Sequence, residues 1–177
     1  MTVTELAPAK LNLTLDVGAR RPDGYHEITS VMQSAALYDV VTLETVETDD
    51  IVVECPGTDL PTGPDNLAWK AADVFFRETN IPRTGIFIRL EKKIPSQAGL
   101  GGGSSDAAAV LRGMRRLFRA NLSDEALETM AARVGSDVPY CVRGGTALAR
   151  GRGERLTALS PLPMCWFVIV KPPVAHS

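Results

Sequence analysis

No Gly-Lys pair occurs anywhere in the chain, so the lysine-bearing Walker phosphate loop is absent. Cysteine is scarce. Cys55, Cys141 and Cys165 are odd in number, widely spaced and outside any CxxC or Cys/His cluster. That pattern argues against a disulfide framework and against structural zinc, and no residue is assigned as a metal ligand. Net charge is small as well. A formal charge of −2 argues against a nucleic-acid binder held by phosphate electrostatics. Long apolar runs are missing: the longest, Met164 to Val170, is too short to span a bilayer. Met1 to Lys10 lacks the basic region and apolar stretch of a secretory signal. The default reading is a cytoplasmic, soluble protein with no nucleic-acid and no membrane partner.

A hydrophobic fraction of 45% over 177 residues supplies a core for one large domain, or for one domain and a fragment of another. Lys10 to Val17 alternates strictly, with Leu11, Leu13, Leu15 and Val17 on one face and Lys10, Asn12, Thr14 and Asp16 on the other. Arg21-Pro22-Asp23-Gly24 reads as a turn that presents Tyr25 and His26. Strands are predicted at Tyr38–Val46 and Ile51–Cys55, then a Pro/Gly/Asp/Thr-rich loop to Asp65. Asp65 or Asn66 caps a helix with Leu67, Ala71, Val74 and Phe75 on one face. A strand from Gly85 to Ile94 is followed by a helix from Ser105 to about Arg119, and Ser123 opens another helix that Gly135 closes. Short strands are predicted at Gly145–Arg150, Glu154–Leu159 and Cys165–Val170. The mixed order, without regular βαβ alternation, predicts an α+β layer fold.

The richest stretch joins the Gly85–Ile94 strand to the alanine-rich helix: Pro95, Ser96, Gln97, Ala98, Gly99, Leu100, Gly101, Gly102, Gly103, Ser104 and Ser105, then Asp106. Its glycines let the backbone approach a ligand without a Cβ in the way. Ser104, Ser105 and Asp106 are N-cap candidates, so the loop would bring its N–H groups to a helix start that favours an anion, a nucleotide phosphate above all. The dinucleotide fingerprint fails, because Ser104 or Asp106 stands where its third glycine belongs. The competing reading is a flexible turn without a ligand.

Further polar residues stand out. Lys10 and Asn12 share a strand face, which is either ordinary solvent-facing surface or a cation poised to steady phosphoryl charge or an attacking hydroxyl. Asp137, in Gly135-Ser136-Asp137-Val138-Pro139-Tyr140, either caps the next segment or serves as a base toward a hydroxyl. Tyr25 and His26 either pack as surface aromatics or stack on a base and bond its edge. Gly151 to Glu154 reads as a hairpin turn.

Together these segments resemble the GHMP kinase superfamily, small-molecule kinases with a non-Walker glycine-serine loop. The resemblance rests on Ala7 to Leu13, Arg21 to Glu27, Asp65-Asn66-Leu67, Pro95 to Ala108, Gly135 to Tyr140, Gly145-Thr146-Ala147 and Gly151 to Glu154, in order through essentially the whole chain. It implies two α+β lobes with a cleft between them: residues 1–145 as the N-terminal ATP-binding domain (ribosomal protein S5 domain 2-like) and 146–177 as the first strands of a truncated C-terminal lobe. It implies ATP as co-substrate, accompanied by Mg²⁺, with Pro95 to Ser105 around the phosphates and Asn66 near the adenosine. Lys10 and Asp137 match the family's catalytic pair, and Asn12 helps to hold the substrate. Tyr25 and His26 match residues that grip a cytosine. They point to ATP-dependent phosphorylation of the 2-hydroxyl of cytidine diphosphate-linked methylerythritol, a step in non-mevalonate isoprenoid precursor synthesis.

Two departures qualify the resemblance. Ser96-Gln97-Ala98 replaces smaller or more glycine-rich residues. Family members also continue into a second lobe, whose entry Lys171-Pro172-Pro173-Val174 resembles. The expectation is therefore a shortened member, and its alternative function is an inactive or incomplete nucleotide-binding fragment. Cys165–Val170, apolar on both faces, would be an uncovered strand open to self-association.

Overall fold

The computed structural model describes residues 1–172. Among these, six strands form one sheet and four helices pack on it. The strands are β1 (Thr2–Arg20), β2 (His26–Val46), β3 (Ile51–Glu54), β4 (Gly85–Glu91), β5 (Thr146–Gly151) and β6 (Arg155–Ala158). The helices are α1 (Leu67–Glu78), α2 (Gly102–Leu117), α3 (Asp124–Val134) and α4 (Val138–Arg143). The α+β expectation holds.

Strand β2 is the spine. Along one edge it pairs antiparallel with β1 over nearly its full length. Its other edge is shared: Val40 to Val46 pair with β4, and Ile28 to Gln33 with β5. β3 joins β4 in parallel through the α1 crossover, as a parallel pair requires. β5 and β6 extend this same sheet. β1 and β2 both begin well before the predicted Lys10 and Tyr38.

The core lies between the helices and one sheet face. Ile86, Ile88 and Leu90 alternate inward from β4 and meet Met32, Val41 and Leu43 of β2. Alanines 107, 108 and 109 let α2 lie close to the sheet. At Gly113 an added Cβ would fall 2.2 Å from Leu43 Cδ1. Asn66 caps α1 by accepting from the Ala68 N–H at 2.8 Å, and Ser123 caps α3 by accepting from Ala126. Gly135 is the C-cap of α3.

Three expectations need correction. First, α2 starts at Gly102, with left-handed Gly101 (φ 66°) as its cap and no side-chain cap bond. Ser104, Ser105 and Asp106 lie inside the helix: Ser105 Oγ donates to the Pro8 carbonyl at 2.7 Å, and Asp106 is buried. Second, the strict alternation of β1 breaks at Leu13, which is unpaired between Asn12↔Met32 and Thr14↔Val31. Such a bulge shifts the pleat by one residue. Because Lys10, Asn12, Leu15 and Val17 oppose Ser34, Met32, Ser30 and Ile28, Leu15 and Val17 continue the Lys10–Asn12 face instead of opposing it. Third, Cys165–Val170 forms no strand. Trp166 and Val168 are each 92% exposed there, so the segment is uncovered as expected but is not a strand. Of the stretch resembling a lobe entry, residues 173–174 lie outside the described residues, as do 175–177.

Candidate active site

A cleft of about 460 Å³ opens between the loop after β4 and the start of α1. Its walls include Pro95 to Gly103, Leu60, Asn66 and Lys92, with Lys10, Asp106 and Asp137. Backbone geometry shapes the loop. Gly99 and Gly101 sit at φ 69° and 66°, and Gln97 adopts φ 54°, a conformation that favours glycine. Ala9, Ile94 and Leu100 form a small apolar cluster that seats the loop on β1. The Lys10 N–H donates to the Leu100 carbonyl at 2.9 Å. A Cβ on Gly101 would lie 2.7 Å from Lys10 Cγ, so only glycine admits the lysine stem beneath the loop.

Lys10 itself is buried. Its ammonium donates to Asn12 Oδ1 at 2.7 Å and lies 3.2 Å from Asp137 Oδ2. Asn12 passes the chain on, donating to Ser30 Oγ at 2.8 Å, and Ser30 donates to the Thr14 carbonyl at 2.6 Å. Asp137 occupies the N-cap position of α4 but makes no cap bond. Its carboxylate is thereby left to Lys10 and to the cleft. The carboxylate remains 32% exposed, which keeps it reachable.

The six-residue helix α4 is held by its neighbours. Arg112 of α2 donates to the Cys141 carbonyl at 2.9 Å. Tyr140 OH donates to the Gly145 carbonyl at 2.7 Å and sits 3.1 Å from Ser34 Oγ. Burial pushes the Tyr140 phenol up to about 12, so it stays a donor at neutral pH.

The turn after β1 is built as its sequence indicates. The Tyr25 N–H donates to Asp23 Oδ1 at 3.2 Å, and Arg21 donates to Glu27 at 2.6 Å. Tyr25 is 51% exposed. His26 Nδ1 lies 3.1 Å from the Gly18 carbonyl, which assigns the proton to Nδ1 in a neutral ring and leaves Nε2 as an acceptor.

The structure brings Lys10, Asn66, Asp137 and Pro95 to Gly103 to one cleft. Ser104 and Ser105 stand behind it, while Asn12, Tyr25 and His26 lie outside its lining. The β5–β6 turn connects the two groups. A Cβ on Gly153 would be 3.7 Å from Asp137 Oδ1 and 3.6 Å from Ile28 Cδ1. One residue earlier, the Arg152 guanidinium covers the Tyr25 ring at 4.9 Å from its centroid. The hairpin turn at Gly151 to Glu154 thus packs against both Asp137 and Tyr25, which its composition did not reveal.

The sequence also gave no sign of a buried ionic cluster. Lys92 Nζ donates to one oxygen each of Asp39 and Asp106. Asp39 also accepts from the Ile94 N–H at 2.8 Å. Burial pushes the Asp106 carboxyl up to about 7 against the pull of Lys92. For Lys92, burial opposes the charge but the two carboxyls outweigh it, so its pKa stands above the ordinary lysine range.

Comparison with known proteins bears on this geometry. The sequence profile of the GHMP kinases N terminal domain matches residues 66–145. A 4-diphosphocytidyl-2-C-methyl-D-erythritol kinase of Enterococcus faecalis is 48% identical over 100% of this chain and 62% of its own length. One from Heliobacterium modesticaldum is 52% identical over 97% of this chain and 55% of its own. A crystal structure of a 4-(cytidine 5'-diphospho)-2C-methyl-D-erythritol kinase superposes with a TM-score of 0.75 at 42% identity, covering 91% of this chain and 56% of that one. The chain thus spans 55% to 62% of the length of these curated relatives.

Proposed function

We propose that this chain is a kinase of the GHMP type, that it binds ATP in the glycine-loop cleft, and that it transfers the γ-phosphoryl group to the 2-hydroxyl of 4-diphosphocytidyl-2-C-methyl-D-erythritol. The observation that carries this reading is the Lys10–Asp137 pair, 3.2 Å apart in the lining of the cleft that the loop closes.

The chemistry follows from charge and position. An alcohol arriving beside the pair, on its cleft side, meets a carboxylate that can accept its proton and an ammonium that offsets the negative oxygen. That oxygen attacks the γ-phosphorus, the bond to the bridging oxygen breaks, and ADP departs with the electron pair. Asn12 fixes the lysine's direction through its 2.7 Å bond. The N–H groups of Gly99 to Gly103 and the start of α2 receive the phosphates, and Asn66 lies at the adenosine side. Mg²⁺ enters with the nucleotide as part of the substrate, its charge offsetting the phosphates. Among the described residues no cluster of three or more His, Cys, Asp or Glu side chains forms a resident metal site. Tyr25, half exposed beneath Arg152, offers its ring to the cytosine and His26 an edge partner.

The test is ADP release with ATP in the presence and absence of the cytidyl substrate. Turnover that depends on this substrate supports the reading, and turnover with mevalonate or galactose instead overturns the substrate assignment. A second reading, nucleotide binding without turnover, draws on the exposure of Trp166 and Val168, apolar side chains left without cover. ATP binding without product formation would favour it.

A further inference from the structure

Under the glycine loop, one ammonium serves two carboxyl groups. The side chains of Lys92, Asp39 and Asp106 are only 9%, 0% and 3% exposed. Asp39 is fully supplied, one oxygen by Lys92 and the other by the Lys93 and Ile94 N–H groups. Asp106 is not. Its Oδ2 receives Lys92, while its Oδ1 is buried without any hydrogen-bond partner. A charged oxygen held dry and unpartnered is unfavourable, and nothing in the phosphoryl-transfer scheme uses it.

The groups facing this carboxyl come from every neighbouring element. Lys92 follows β4 and Asp39 belongs to β2, and both act on it directly. Cys55, after β3, and Cys141, on α4, also feel its charge. Burial pushes both thiols up, Cys141 to about 12, so each is neutral near pH 7. Lys10 and Asp137 share the cleft lining with it. With both carboxyls ionised, the trio of Asp39, Lys92 and Asp106 carries a net negative charge directly behind an anion-binding loop. The separation is short: the Cβ position of Gly102 is 3.5 Å from Lys92 Nζ.

We propose that Asp106 takes up a proton when a polyphosphate settles on the glycine loop, so that phosphate affinity rises as the medium becomes more acidic. The inference rests on the nucleotide reading of that loop. An incoming polyanion repels the ionised carboxyl across a poorly solvated wall, and protonation removes the repulsion. It also releases Lys92 from serving two negative charges, so more of its field reaches the phosphates. By reciprocity, whatever the anion does to proton affinity, the proton does to anion affinity. The burial that lifts Asp106 to about 7 puts this exchange within reach of neutral pH.

The experiment is calorimetric titration of ATP into the intact chain and into Asp106→Asn, from pH 6 to 8.5, in two buffers of different ionisation heat. ATP's own phosphate titration contributes equally to both proteins, so their difference isolates Asp106. The wild type is expected to take up more protons per ATP than the variant. Its affinity should also fall more steeply with pH, the excess being at most about tenfold per pH unit for one linked proton. Equal proton uptake and equal slopes overturn the inference and leave nucleotide binding intact. No ATP binding to either protein at any pH overturns both. Should Asp106→Asn fail to fold, the carboxyl carbon resonance of wild-type Asp106 decides: its titration midpoint moves upward with ATP, and an unmoved midpoint refutes the proposal.

Discussion

Lys10 Nζ lies 3.2 Å from Asp137 Oδ2, although one side chain rises from the first strand and the other from the cap position of a helix late in the chain. Asp137→Asn keeps the shape and removes the proton acceptor. Turnover with the cytidyl substrate is expected to fall by about 10²- to 10⁴-fold with KM little changed. An ADP-release assay checks this, and a raised KM with unchanged turnover would assign Asp137 to binding instead.

Gly101→Ala meets two obstacles at one position. A φ of 66° is unfavourable for alanine, by about 1–2 kcal/mol, and the new methyl would stand 2.7 Å from Lys10 Cγ. Lys10 is pinned by Asn12 and Asp137, so it yields poorly. Urea unfolding should show a loss of about 1–3 kcal/mol, together with weaker ATP binding.

Gly113→Ala sets helix propensity against packing. Alanine gains about 1 kcal/mol inside a helix, yet its methyl would lie 2.2 Å from Leu43 Cδ1, and overpacking costs about 1–3 kcal/mol. Packing wins, so the variant should be less stable. Combining it with Leu43→Ala, which alone opens a cavity, should lose less than the sum of the two single changes. Strict additivity in the melting data would contradict this account.

Stability should also depend on pH through Asp106. The folded chain holds that proton up to about pH 7, whereas the ordinary carboxyl releases it near 3.8. The folded state is therefore favoured below the lower value, and this advantage is lost as pH rises toward the upper one. Lys92 does not interfere, because its pKa is raised from an ordinary value of 10.5. The urea midpoint of the wild type should decline between pH 4 and pH 7 relative to that of Asp106→Asn. Parallel profiles would rule the effect out.

Local chemistry was readable wherever one residue type decides an outcome. Asn66 and Ser123 cap their helices because a short oxygen-bearing side chain reaches an unpaired N–H. The glycine run announced a close approach, and it delivered one. Residues 138–143 were missed as a helix because six residues are too few for a 3.6-residue period to show. Leu13 misled because alternation presumes an unbroken ladder, and an inserted residue leaves no mark in composition. Serines after the glycines suggested a cap, but left-handed Gly101 had already turned the chain into the helix. Asp39, Lys92 and Asp106 come from β2, the loop after β4 and α2, so only tertiary structure unites them.

The main chain of Lys10 is tied to the Leu100 carbonyl while its stem runs beneath Gly101. Strand and loop are thereby yoked at two points. The far end of the same side chain is held by Asn12 and Asp137, so the loop, the first strand and the cap of α4 meet on a single lysine. Disturbing any one of the three therefore disturbs the other two.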